Sequence, residues 1–223
     1  MNAPIAALIV LAKAPVPGRV KTRLCPPATP QQAAGLAAAA LLDTLDTVRG
    51  MAGVRVVVAL CGELDQAVRG SELRDALRGL TVVRQRGEGL GARIAAAHLD
   101  TAALLPGLAT VQVGMDTPQA GAELYAVALA ALTCAGGPDA VLGPATDGGW
   151  WALGLRDPRR AVLLADVPTS RADTGERTLR ALRGGGLRVE PLPELTDVDT
   201  AADAGAVAER IPGSRFAAAV AGL

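Results

Sequence analysis

Residues 5–12, IAALIVLA, form an apolar run of strand length with no polar alternation. Such a strand is buried on both faces, which places it inside a mostly parallel sheet covered by helices. The run leads directly into a segment punctuated by Pro15, Pro17 and Gly18 that carries Lys13, Arg19, Lys21 and Arg23. A buried strand delivering a basic, conformationally restricted loop at its carboxyl end is a common way for an α/β protein to hold an anionic ligand. Among 22 Lys plus Arg, the two lysines are Lys13 and Lys21, both in this loop. Lysine offers a compact point charge suited to clustered phosphates, whereas arginine offers a rigid fork. The expectation is a phosphate-binding loop, with solvated surface charge as the alternative.

The remaining pattern alternates helices with short apolar strands. Thr29-Pro30 pairs a capping hydroxyl with proline at the first helical position, opening a helix that ends near Gly50. Strands are expected at 54–60, 80–84, 108–114, 139–142, 150–155 and 187–191, the 150–155 segment as an edge or return strand. Helices are expected at 64–77, after Gly91, at 118–132, at 177–183, and finally at 201–209. With no repeat and no long linker, residues 1–223 read as one domain.

Composition narrows the partners. Apolar residues make up 50% of the chain but aromatics only 2%, so the core is alanine and aliphatic. Net charge is +0 and no basic stripe appears, which argues against nucleic-acid binding. Cys25, Cys61 and Cys134 lack metal-ligand spacing, so a reduced cytoplasmic protein is expected. The 5–12 run is too short to cross a bilayer, and no membrane insertion is expected. Oligomeric state is not legible.

Several residues stand where an α/β fold places chemistry. Asp116 follows the 108–114 strand directly, inside GMDTP. A carboxylate there suits Mg²⁺ beside phosphates, or caps the next helix. Asp147, Gly148 and Gly149 form a tight turn before Trp150 and Trp151, the only tryptophans. One indole is expected on a substrate pocket and the other in the core. Asp147 is open to three readings: orienting a hydroxyl, assisting a metal, or shaping the turn. Asp197 and Asp199 lie at alternate positions and share a face if extended, aimed toward Asp116; the alternative is that Thr200 or Asp199 simply caps the last helix. Gly87, Gly89 and Gly91 allow close backbone approach to a ligand. His98, the single histidine, reads as a packed or surface helix residue. No G-x-S-x-G elbow, Walker A frame or dinucleotide fingerprint occurs, so serine hydrolysis, P-loop ATPase chemistry and hydride transfer are disfavoured.

AKAPVPGRVKTRLCP (12–26), GEGLGARI (87–94), GMDTP (114–118), LGPATDGGWWALGL (142–155) and DVDTAAD (197–203) together resemble the nucleotide-diphospho-sugar transferase superfamily with the GT-A fold. Within it the chain is similar to the bacterial DUF2064 group, also called radical-SAM/selenodomain-associated transferase 1. That group is related to the molybdenum-cofactor and 2-phospho-L-lactate guanylyltransferases. The resemblance covers roughly residues 5–208 and implies a Rossmann-like α/β/α sandwich. It implies a nucleotide co-substrate held by Lys13, Arg19, Lys21 and Arg23, with backbone near Leu11, Ala12, Gly89 and Gly91, and Arg93, completing that side. Lys21, Arg23 and Asp116 would be catalytic, and Asp116 with Asp199 would hold Mg²⁺ or Mn²⁺. Asp147, Gly148, Gly149 and Trp150 would face a phosphorylated or sugar-like acceptor. The implied activity is nucleotidyl transfer from an NTP with pyrophosphate release. Glycosyl transfer from a nucleotide-sugar, or nucleotide binding without catalysis, are the alternatives. The chain departs from the superfamily in having KAPVPGRVKTRL for the usual glycine-rich loop, and PTSRADT (168–174) without the group's usual aromatic.

Overall fold

The computed structural model describes residues 5–223. β1 (Ala6–Lys13), β2 (Val54–Cys61), β3 (Thr81–Arg84), β4 (Ala109–Gly114), β5 (Ala140–Pro144), β6 (Trp150–Leu155) and β7 (Val189–Pro191) form one sheet in the order β3-β2-β1-β4-β6-β5-β7. All neighbours pair in parallel except β6, which runs antiparallel between β4 and β5. β6 is therefore a return strand and central, not an edge. The loops that follow β1 and β4 emerge on one rim of the sheet, and the β5–β6 turn joins them there.

The two faces of β1 show why its run is uniformly apolar. Ala6, Leu8 and Val10 pack toward α1 (Pro30–Arg49) and α4 (Ala122–Thr133). Ile9 and Leu11 pack toward α3 (Gly89–Leu104) on the opposite side. α5 (Thr174–Gly184) covers β5 and β7 on that second face, together with the short 3-10 segment Pro158–Leu164. α1 is buried almost all round. A third cluster presses Ala33, Leu36 and Ala40 of α1 against Val207 of α6 (Ala201–Arg210) and Phe216 of α7 (Arg215–Val220). A helix with neighbours on both sides needs small apolar residues throughout, which accounts for its alanine content. Its start is a capping box between Thr29 and Gln32.

Three expectations differ from the fold. The 64–77 segment is not one helix: a 3-10 turn, Leu64–Gln66, is followed by α2 (Gly70–Leu77), with Arg69 between them at φ 57°. The helix expected from 118 begins at Ala122 behind the cap Gly121, so Asp116 caps nothing. α6 is not the last helix, because Ser214 caps α7 beyond it. His98 is buried, with Nδ1 2.8 Å from Thr110 Oγ1, and burial lowers its pKa to about 3. Among the described residues no helix is long and apolar enough to cross a membrane.

Candidate active site

The basic loop is folded back on itself. Ala14 N–H donates to Cys61 O, Val16 N–H to Ala14 O and Arg19 N–H to Val16 O. Lys13 Nζ donates to Arg19 O at 2.6 Å, so this lysine braces the loop it sits in. Val20 and Leu24, both buried, anchor the two ends of the next segment. Between them Lys21 takes the left-handed conformation (φ 49°, ψ 38°) and enters a 3-10 turn, Thr22–Leu24. A left-handed non-glycine residue is uncommon and persists only when its surroundings hold it.

What holds Lys21 is charge. Its ammonium lies 2.7 Å from Asp116 Oδ1 and 3.4 Å from Asp199 Oδ1, and Arg23 reaches Asp199 Oδ2 at 2.6 Å. The Lys21 side chain is only 11% exposed. Burial depresses the ammonium, but the attraction and hydrogen bond of Asp116, followed by those of Asp199, outweigh it and raise its pKa above the ordinary lysine value.

Residues 195–199 are clamped as an extended strip. Leu195 N–H donates to Pro144 O, Thr146 N–H to Leu195 O, and Val198 N–H to Asp116 O. Val198 is 2% exposed and points into the core, so the alternate residues Asp197 and Asp199 face the cleft. Thr200, in a capping box with Asp203, starts α6 immediately afterwards. The DGG turn closes through Ala145 N–H to Gly149 O and Gly149 N–H to Asp147 Oδ1.

Among the described residues, the carboxylates that can share one ion are Asp147, Asp197 and Asp199, whose ligand oxygens lie within 4.8 Å of one another. Asp197 Oδ1 is buried without a partner. Burial, then the Asp147, Asp199 and Asp116 charges, raise the Asp197 pKa to about 6. A set of hard oxygen donors with one unpartnered oxygen fits Mg²⁺ or Mn²⁺. Of the expected pair Asp116 and Asp199, Asp199 belongs to this group, while Asp116 stands beside it as the partner of Lys21.

The cleft has two chambers. The first, about 350 Å³, is lined by Leu11, Ala12, Lys13, Arg19, Lys21 and Arg23 together with Arg93 and Asp116. The second, about 530 Å³, is lined by Asp147, Gly149, Trp150, Asp197 and the 169–172 segment. Leu11, Arg23, Leu90, Asp116 and Asp199 border both. Trp150 lines the second chamber with its Nε1 held by Thr178 Oγ1 at 3.1 Å. Trp151 is mainly core, its Nε1 donating to Pro193 O.

Three glycines read as ligand contacts stand outside both chambers. Gly91 lets α3 meet the Pro158–Leu164 segment: an added Cβ would lie 2.5 Å from Leu164 O. At Gly148 it would lie 1.8 Å from Ala172 O. Gly89 (φ +78°) shapes the start of α3. Sequence reasoning missed Gln85, Gln112, Thr117 and Arg171, which line the cleft. Gln112 alone carried a signal, as a polar residue within a strand otherwise apolar from Val111 to Val113.

The family model for DUF2064, described as an uncharacterized protein conserved in bacteria, matches residues 44–171, more than half of the chain. The chain belongs to the DUF2064 family. A protein from Desulfovibrio desulfuricans G20, provisionally named a nucleotide-diphospho-sugar transferase, is 26% identical with a TM-score of 0.84 over 98% of this chain and 95% of its own. A CMP:2-keto-3-deoxy-manno-octonic acid synthetase solved with CTP shares the fold at 12% identity and a TM-score of 0.57, over 98% of this chain and 100% of its own. Glucosyl-3-phosphoglycerate synthase from Mycobacterium tuberculosis, solved with Mn²⁺, UDP and glucosyl-3-phosphoglycerate, matches at 12% identity and a TM-score of 0.52, over 86% of this chain and 71% of its own. No curated protein matches this DUF2064 sequence. The fold is that of the nucleotide-diphospho-sugar transferases.

Proposed function

We infer that this protein is a transferase acting on a nucleotide, and that it moves a nucleoside monophosphate from an NTP to a phosphorylated small molecule with release of pyrophosphate. The observation that carries this reading is the meeting of two chambers at one charged seam, Lys21–Asp116–Asp199–Arg23. The first chamber is lined both by cations and by the apolar Leu11, Ala12 and Leu90, the two kinds of wall that a triphosphate attached to a base requires. The second opens from the same seam, where an acceptor must lie to reach the α-phosphorus.

In the reaction, an acceptor phosphate oxygen forms a bond to the α-phosphorus while the bond from that phosphorus to the β-phosphate oxygen breaks. Pyrophosphate leaves with the electron pair. Lys21, Arg23 and Arg19 neutralise the charge that develops on the phosphoryl oxygens and the leaving group. An acceptor phosphate is ionised at neutral pH, so no histidine base is needed, consistent with His98 being buried away from the cleft. Asp147, Asp197 and Asp199 would hold a divalent cation. That ion supplies Lewis-acid stabilisation of the phosphoryl oxygens when bound.

The D. desulfuricans relative favours a second reading, glycosyl transfer from a nucleotide-sugar. Products separate the two. With Mg²⁺, an NTP and a panel of phosphorylated acceptors, the first reading expects pyrophosphate; with nucleotide-sugars, the second expects a nucleoside diphosphate. Neither product, with nucleotide still raising the melting temperature, would leave a binding protein on this fold.

A further inference from the structure

Gln85 lines the first chamber with a side-chain amide whose orientation the backbone dictates. It follows β3 directly, and its N–H continues the ladder by donating to Leu60 O at 3.0 Å. Val83 packs with Ile9, Leu11 and Ala59 on the α3 face of the sheet, and Gln85, two residues on, turns its side chain to that face. Its Nε2 donates to Ala12 O and Ala59 O, both at 2.8 Å. Both partners are carbonyls, so only the NH₂ end can face them and the amide has one orientation. Oε1 is thereby directed away from them. It accepts no hydrogen bond among the described residues and, unlike Gln112 Oε1, is not buried.

An acceptor oxygen fixed in this way asks for a donor. Phosphate at neutral pH offers acceptors, so Gln85 does not serve the triphosphate. Its neighbours suit a base instead. Leu11 pairs with Ala59, and Cys61, two residues past Ala59, lies on the same face. Arg93 Nη1 is 3.8 Å from Cys61 Sγ, and Arg93 Nε donates to Gly87 O, two residues after Gln85. These contacts gather Gln85, Cys61 and Arg93 at the start of α3, and apolar Leu11 and Leu90 line the same chamber. A base needs apolar surface for its faces and a fixed polar group for its edge.

We propose that Gln85 selects the base of the nucleotide, its Oε1 accepting a hydrogen bond from an exocyclic amine. Cytosine, adenine and guanine carry that donor. Uracil and hypoxanthine put a keto oxygen or a bare carbon in its place, leaving Oε1 opposed or unmet. This rests on the transferase reading, which puts the nucleotide in the first chamber. It adds a class of base and the residue that chooses it.

Calorimetric titration in Mg²⁺ compares CTP with UTP, ATP with ITP and GTP with ITP, and inorganic tripolyphosphate serves as a probe with no base. In the parent, at least one amino nucleotide should bind about tenfold or more tighter than its counterpart, since a site built to bond a donor rejects the analogue lacking it. Gln85→Leu should cut that ratio to about twofold or less with tripolyphosphate affinity unchanged, an outcome that general loosening of the fold does not produce. Gln85→Glu keeps an acceptor and should keep the preference, which decides the matter if Gln85→Leu does not fold. Equal affinity within every pair for the parent, a preference that survives Gln85→Leu, or one lost in Gln85→Glu would each overturn the proposal. Indifference to the amine combined with a tenfold loss for 2′-deoxynucleotides would place Oε1 on the ribose and overturn it as well. If tripolyphosphate binds in any of these cases, the base inference alone has failed. If neither tripolyphosphate nor any nucleotide binds the parent, the transferase reading fails first.

Discussion

The two chambers of the cleft meet their polar groups in opposite ways. In the first, several cations already have partners: Lys13 bonds the Arg19 carbonyl, Lys21 bridges Asp116 and Asp199, and Arg23 holds the far oxygen of Asp199. In the second, Gln112 Oε1, Thr117 Oγ1 and Asp197 Oδ1 have no partner among the described residues. The seam and the adjoining wall of the second chamber gather four carboxylates, Asp116, Asp147, Asp197 and Asp199, against two cations, Lys21 and Arg23. With all four ionised, the surplus of two negative charges equals the charge of one divalent cation. A chamber whose groups already have partners must exchange them to load, whereas an unsatisfied chamber gives up stability until something fills it.

The largest expected effect comes from removing the carboxylate common to both arrangements. Asp199→Asn should lower turnover by about 10² to 10³-fold and abolish the rise in melting temperature with Mg²⁺. Undiminished turnover would separate the seam from the chemistry. Lys21→Met comes next. The ammonium neutralises Asp116 and Asp199, so its loss should tighten Mn²⁺ binding by about tenfold, read by electron paramagnetic resonance of free Mn²⁺, even as turnover falls. Equal or weaker Mn²⁺ binding would mean that Lys21 and the cation do not compete.

Asp197→Asn gives the smallest effect and the cleanest sign. Its pKa of about 6 lies above the unfolded value near 3.9, so the native state binds more protons than the unfolded state between those values. Its contribution to stability therefore falls as pH rises from about 4 to about 6 and stays low above. At pH 7.5 without metal, the variant should melt about 2 °C higher than the parent, and that gain should vanish near pH 4. His98, with its pKa lowered to about 3, has the opposite slope, losing stability as pH falls below about 6.5. Only the difference between parent and variant isolates Asp197. A gain independent of pH would contradict the carboxylate crowding.

The sequence made the donor side more legible than the acceptor side, for a physical reason. β1 and its basic loop are contiguous, so Lys13, Arg19, Lys21 and Arg23 could be grouped by position alone. Asp197 and Asp199 could be read because strand alternation puts them on one face, and the clamp on Val198 enforces it. The second chamber is assembled from the middle of β4, the DGG turn and the 169–172 segment, which only tertiary pairing brings together. Nothing local shows that Gln112 lacks a partner, since that depends on what fails to face it. The glycines misled for a related reason: Gly91 and Gly148 are small because other backbone presses on them, and sequence cannot tell that neighbour from a ligand. α7 was missed because its apolar face answers α1 far away in the chain.

Asp147, Asp197 and Asp199 are proposed to hold a divalent cation beside the seam between the two chambers. Crystals grown with Mn²⁺, with anomalous diffraction recorded above the manganese edge, test it most directly. One peak is expected within coordination distance of all three carboxylates, absent from the Asp199→Asn variant. A peak elsewhere in the cleft, or none at Mn²⁺ concentrations that support turnover, would contradict it.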